Sequence, residues 1–179
     1  MADNCVIQNP HRRVVEDLKL RNKNNGKTIA GEYFGSKFSY DETFKMFRDF
    51  KTGFINLDGL NENPIVIAAP STVASVNSFY GAIDADKPAV PVSPGFLNAF
   101  TSQVTRDINS QTAVIFDGFL SEELIKKLHS SGVKNVIVTS ITDYMNPIVK
   151  KVGQLKGAVS KKDFLDEYIK SGKKLPSGM

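Results

Sequence analysis

Residues 64–94, PIVIAAPSTVASVNSFYGAIDADKPAVPVSP, decide the fold. Positions 65–69 are apolar without alternation, and 89–92 form a second such run. Strands apolar along their whole length are buried on both faces, as in parallel sheets. Between them, Ser71 is placed to cap a helix over 72–85. Strand, helix and parallel strand in that order make a right-handed crossover unit.

Downstream the alternation continues. A helix is predicted over 96–108, with Phe96, Phe100, Val104 and Ile108 four apart. A third strand follows at 113–116. Ser121 caps a further helix with Glu122 and Glu123 at its positive end. Lys126, Lys127 and His129 lie near its negative end, and Gly132 just past it. Residues 136–138 form a fourth strand, and another helix is expected near 146–152. A last helix starts at Ser160, with Asp163 completing a capping box, and buries Phe164, Leu165, Tyr168 and Ile169.

Upstream, Val14, Val15, Leu18 and Leu20 suggest a short helix after Pro10, and RNKNNGK reads as a loop. Residues 32–34 and 37–39 flank Gly35-Ser36, the composition of a two-residue type II′ hairpin turn. Ser39 and Glu42 form a capping box. The stripe Tyr40, Phe44, Phe47, Phe50, Phe54 and Leu57 then marks one buried helix face. The fold class is therefore α/β: a mostly parallel sheet flanked by helices, with an N-terminal helix and β-hairpin attached. Residues 1–30 read as an arm and helix, 31–172 as the α/β unit, and 173–179 as the start of a linker.

Composition sets the outer bounds. A chain of 179 residues with 41% hydrophobic and 23% charged residues is globular. No apolar run approaches the roughly 18 residues of a membrane span. The start lacks the apolar core of a signal peptide. Cys5 stands alone, which fits a cytoplasmic location. Residues 150–179 hold eight Lys against Asp163, Asp166 and Glu167, a local net of +5 in a chain of net +4. All these cations are Lys, and the aromatic residues among them keep helical core spacing. That favours a solvated face over a nucleic-acid surface.

Motifs that carry chemistry are thin. The turn Ala69-Pro70-Ser71-Thr72 has no glycine, unlike a dinucleotide-binding loop. The string from Gly31 to Lys37 is one residue short of a phosphate-binding Walker loop and sits in the hairpin. Ser71-Thr72 could hold an anion at a helix N-terminus, but a plain cap suffices. His11, His129 and Cys5 are isolated and match no metal spacing. Asp117-Gly118 reads as a strand-ending turn, with no acidic pair to complete a phosphate-accepting site. Asp84 and Asp86, beside Lys87, read as loop carboxylates rather than an acid–base pair. No catalytic, cofactor-binding or metal-ligating residue is assigned.

The order of segments nevertheless resembles the N-terminal part of the AMP-forming acyl-CoA synthetase family of adenylate-forming enzymes. The matching stretches are Tyr33-Phe34-Gly35-Ser36-Lys37-Phe38-Ser39-Tyr40, the strand ending in Pro70-Ser71, Phe79-Tyr80-Gly81-Ala82, and residues 85–94. The strands TAVIFDGF and KNVIVTS, followed by Ile141-Thr142-Asp143, fit the acyl-CoA ligase branch. Together these cover roughly residues 30–172. Asp86 departs from the glycine that relatives often carry there. The resemblance implies a parent that joins carboxylate to ATP, forming an acyl-adenylate, then to CoA as a thioester. ATP, Mg²⁺ and CoA are implied for that parent only. The family's phosphate loop, rich in Ser, Thr and Gly and ending in Pro-Lys, would follow a linker like 173–179, and none of its catalytic residues falls on this chain. The expectation is a catalytically silent N-terminal fragment whose partner is the rest of the parent. It would form a homodimer through apolar surface left uncovered. The alternative is a free-standing, non-catalytic α/β interaction module.

Overall fold

A computed structural model of the chain describes residues 13–58 and 61–156. The arm with Cys5 and His11, and the helix expected from Ser160, lie outside the described residues.

Helix α1 (Val14–Arg21) buries Val15 and leaves Val14 and Leu20 exposed. The hairpin differs from the sequence expectation by one residue. β1 (Ile29–Tyr33) pairs antiparallel with β2 (Ser36–Ser39), Tyr33 opposite Ser36, so the loop is Phe34-Gly35 rather than Gly35-Ser36. Phe34 at φ 43° and Gly35 at φ 80° are both left-handed. That is a type I′ turn, not type II′. Tertiary contacts hold this register. The Tyr33 hydroxyl donates to the Ile141 carbonyl at 2.9 Å. Phe38 meets Tyr144 edge-on, with ring centres 6.1 Å apart.

Helix α2 (Tyr40–Asp58) opens on the expected box: Ser39 N–H donates to Glu42 and Glu42 N–H to the Ser39 hydroxyl. Its stripe buries Phe44, Phe47 and Phe54, while Leu57 is exposed.

The α/β unit runs β3 (Ile65–Ala68), α3 (Val73–Asp84), β4 (Ala89–Pro91), α4 (Pro94–Asp107), β5 (Thr112–Phe116), α5 (Glu122–Ser130), β6 (Asn135–Thr139) and α6 (Pro147–Leu155). The four strands are parallel in the order β4-β3-β5-β6. Period-two alternation sends Val66, Ala68, Ala113 and Ile115 to one face, where α4 and α5 supply Leu97, Leu124 and Leu128. Ile65, Ile67 and Val114 face the other way, onto Phe54 of α2 and Ala82 of α3. The result is three layers, helices on both faces of a parallel sheet.

Three helices end in the same device. In α3, α4 and α5 the first left-handed residue is Asp86, Asn109 and Gly132, at φ 59°, 53° and 103°. The next residue's N–H returns to a carbonyl five residues back: Lys87 to Ala82, Ser110 to Thr105, Val133 to Leu128. These are Schellman caps, whose left-handed position favours glycine. Asp86, the departure noted in the sequence, stands at that position.

Two helix expectations change in detail. Thr72, not Ser71, caps α3, and its capping box is closed by Ser75. In α4 the buried positions are Leu97, Thr101 and Thr105, while Phe96 and Phe100 are exposed. Thr101 and Thr105 satisfy their hydroxyls on carbonyls four residues back, which lets polar side chains sit in the core. The backbone also departs from helical geometry at Phe100 (φ −122°, ψ 29°), which rotates the stripe.

Candidate functional site

In open parallel sheets ligands gather beyond the carboxyl ends of strands, where connections diverge to left and right. Here β3 leads left to β4 and β5 leads right to β6, so that point lies between β3 and β5. The chain beyond β3 is Ala69-Pro70-Ser71-Thr72, and beyond β5 a short 3₁₀ turn, Asp117–Phe119. Gly118 packs on the ring of Phe116, where a Cβ would stand 2.6 Å from a ring carbon. The Asp117-Gly118 turn is therefore a strand-ending turn, as the sequence reads, held by close approach rather than by φ.

Two open clefts flank Ser71. One, of about 240 Å³, lies over the ends of β3 and β4 and is lined by Ile67, Ser75, Phe79, Tyr80 and Pro91. The other, of about 300 Å³, lies between the hairpin and helices α2 and α3, with Tyr33, Phe38, Met46, Val76 and Asn77 on its walls. Ser71 is exposed and lines both. Neither cleft is lined by histidine, cysteine or a basic residue. Glu32 is the one lining carboxylate, and it is exposed and paired with Lys37 at 3.9 Å.

At the Ser71-Thr72 turn two amides are used within the helix cap. The Thr72 N–H already serves the Pro70 carbonyl at 2.7 Å and the Ser75 hydroxyl at 3.0 Å, and the Ser75 N–H serves Thr72. Among the described residues, no group of three or more His, Cys, Asp or Glu could hold a metal ion.

The remaining polar candidates have structural partners. Asp84 is buried, with Lys19 of α1 and Lys51 of α2 each 3.6 Å from its carboxylate. Asp86 pairs with Arg13 at 2.8 Å in solvent. The two carboxylates thus serve different neighbours, and Asp84 is the last residue of α3 rather than a loop position. Lys87 is buried, and its ammonium donates to the Asn61 backbone and side-chain oxygens at 2.7 and 2.9 Å. His129 sits in the last turn of α5 with Nδ1 2.9 Å from the Val133 carbonyl; its Nε2 is buried with no partner.

Sequence reasoning passed over the polar floor of the larger cleft. Asn77 is fully buried, and its amide donates to the Met46 sulfur at 3.2 Å. Tyr144 lies behind Phe38. Burial raises the Tyr144 hydroxyl above the ordinary phenol range, opposed by a hydrogen bond from Asn77 and reinforced by the Asp143 and Asp49 carboxylates. Burial, then Asp143, raises Tyr33 as well. Both hydroxyls stay protonated at neutral pH. The available signal was Asn77-Ser78 inside an otherwise apolar helix.

No family model matches the chain, and no curated protein matches it by sequence. Solved structures do match. A benzoate CoA ligase from Burkholderia xenovorans LB400 superposes with a TM-score of 0.62 at 18% identity, over 75% of this chain and 27% of that one. The anthranilate CoA ligase AuaEII, solved with anthranoyl-AMP, gives 0.60 at 16% identity over 74% and 27%. The N-terminal domain of FACL13 from Mycobacterium tuberculosis gives 0.62 at 16% identity over 72% and 33%. The fold is shared with CoA ligases. The chain spans about a quarter to a third of the length of these ligases. The parallel sheet with flanking helices expected from residues 64–138 is thus both observed and matched.

Proposed function

We propose that this chain is the N-terminal segment of an ATP-dependent, AMP-forming acyl-CoA synthetase and is catalytically incomplete on its own. The observation that supports this most is the fold match to CoA ligases over 72–75% of the chain. The ordered motifs of residues 33–40, 79–82 and 85–94 agree with it. Each has a structural reason: a hairpin with a helix cap, a helix contact and a Schellman cap. In this reading residues 31–172 form one subdomain, with 1–30 as arm and helix and 173–179 as linker. The protein is cytoplasmic, and ATP, Mg²⁺ and CoA bind residues beyond this segment. The reading frame after codon 179 tests it. A Ser/Thr/Gly-rich loop ending in Pro-Lys supports the proposal; a stop codon with no such partner chain favours the interaction module.

The same reading makes the isolated chain self-associating. Helix α6 exposes Ile148, Val152 and Leu155, with Ile148 and Leu155 more than 70% accessible. Apolar surface of this kind is normally covered. Sedimentation equilibrium that shows a dimer, dissociated by Ile148→Glu, is expected; a monomer at high concentration contradicts it.

A further inference from the structure

The larger cleft is built for a ligand unlike the acid, nucleotide or thiol of a CoA ligase. Its charged lining is a single carboxylate, Glu32 at the mouth, and no Lys, Arg or His lines it. Glu32 is exposed and paired with Lys37 at 3.9 Å, so what disfavours an anion is its desolvation among apolar walls that supply no cationic partner. The walls are soft and flat: the rings of Tyr33 and Phe38, the Met46 thioether and Val76. A volume near 300 Å³ is at the small end for ligand pockets. It equals about ten waters at roughly 30 Å³ each, enough for a single-ring compound.

The floor adds a specific demand. A buried amide N–H normally holds a good acceptor, because leaving it unsatisfied forfeits its hydration without replacement. The Asn77 amide hydrogen-bonds the Tyr144 hydroxyl, and it also donates to the Met46 sulfur at 3.2 Å, a weak acceptor. Methionine is flexible and can yield its place. A ligand oxygen arriving beside Met46 would exchange an N–H···S contact for a stronger N–H···O bond.

We propose that the cleft between the β1–β2 hairpin and helices α2 and α3 binds a neutral, single-ring molecule carrying one acceptor oxygen, held by the Asn77 amide. The site does not depend on the ligase reading, since ATP, carboxylate and CoA are all anions it disfavours.

Benzamide is the probe and benzoate its charged counterpart, titrated into ¹⁵N-labelled protein. Benzamide is expected to give saturable shifts centred on the amides of Gly31, Val76 and Asn77. Small ligands reach only modest affinity per atom, so dissociation constants in roughly the millimolar range suffice. Benzoate is expected to bind at least about fivefold more weakly. Gly31→Leu fills the cleft from β1, where a Cβ meets nothing within 4 Å, and should abolish the shifts. Val76→Phe fills it from an exposed position on α3, should the hairpin not tolerate leucine. Absent or scattered shifts, benzoate binding as well as benzamide, or folded Val76→Phe protein binding unchanged, each overturns the proposal.

Discussion

Gly81 of α3 lies against Phe50 of α2 so closely that a Cβ on Gly81 would stand 2.5 Å from the Phe50 Cβ and 3.1 Å from the Phe47 carbonyl oxygen. Helices α2 and α3 meet at this glycine. Next to it, Tyr80 stacks on Phe47 with ring centres 4.9 Å apart, and Ala82 is fully buried. The aromatic-glycine-alanine motif of residues 79–82 is therefore a packing motif.

Gly81→Ala should destabilise the protein by about 1–3 kcal/mol, because overpacking outweighs the roughly 1 kcal/mol alanine gains in helix propensity. Urea unfolding monitored by circular dichroism measures this. A variant as stable as the parent would mean the helices can separate freely.

Asp86→Gly should raise stability. The left-handed cap position at φ 59° disfavours a side chain, and the Arg13 pair it sacrifices is half exposed. The expected gain is up to about 1 kcal/mol, larger in high salt, where the lost pair is screened. A loss in high salt would contradict the cap assignment.

Phe34→Asn should also stabilise, by about 1 kcal/mol, since asparagine suits the first position of a type I′ turn and phenylalanine does not. Phe34 is about half exposed, so little burial is lost. A fall in melting temperature would show that its ring contact with Tyr33, at 4.7 Å, outweighs the turn strain.

Asp84→Asn should cost about 1–3 kcal/mol, because two lysines lose the buried carboxylate that joins α1 and α2 to α3. Each lysine keeps about a third of its side-chain surface in water, which limits the loss. Limited trypsinolysis should then cut first in α1. Unchanged protease resistance would show that the apolar contacts of Val15 and Leu18 suffice to anchor that helix.

Alkaline pH should weaken the fold through Tyr144. Its folded value lies above the ordinary 10.0, so the native state keeps the proton longer than the unfolded chain. Stability from this source is complete below pH 10.0 and falls as pH rises through the folded value. Tyr144→Phe should flatten the urea midpoint between about pH 9 and 11 relative to the parent. An identical slope in both proteins would contradict a buried, protonated Tyr144.

The architecture was legible where local pattern and tertiary packing agree. Strands β3, β4, β5 and β6 announce themselves as apolar runs, and the caps at Ser39 and Ser121 by composition. The hairpin register was not legible, because Gly35-Ser36 is good turn chemistry on its own. What selects Phe34-Gly35 is distant: Ile141 and Tyr144, more than 100 residues away. In α4 the four-residue spacing of Phe96 and Phe100 suggested a buried stripe, but threonines that bond back to their own helix took the core positions instead. The larger cleft was invisible for a similar reason. Its walls come from β1, β2, α2 and α3, and no short motif links Met46 to Asn77.

The most direct test of the central claim is calorimetric titration of the chain with ATP and Mg²⁺, at ligand concentrations up to the millimolar range. The account predicts no saturable heat, because the turn beside Ser71 has no glycine-rich loop, no basic residue lines either cleft, and the Thr72 and Ser75 amides are engaged within the cap. Saturable micromolar binding, lost on substituting Ser71, would place a nucleotide site within this segment and contradict its incompleteness.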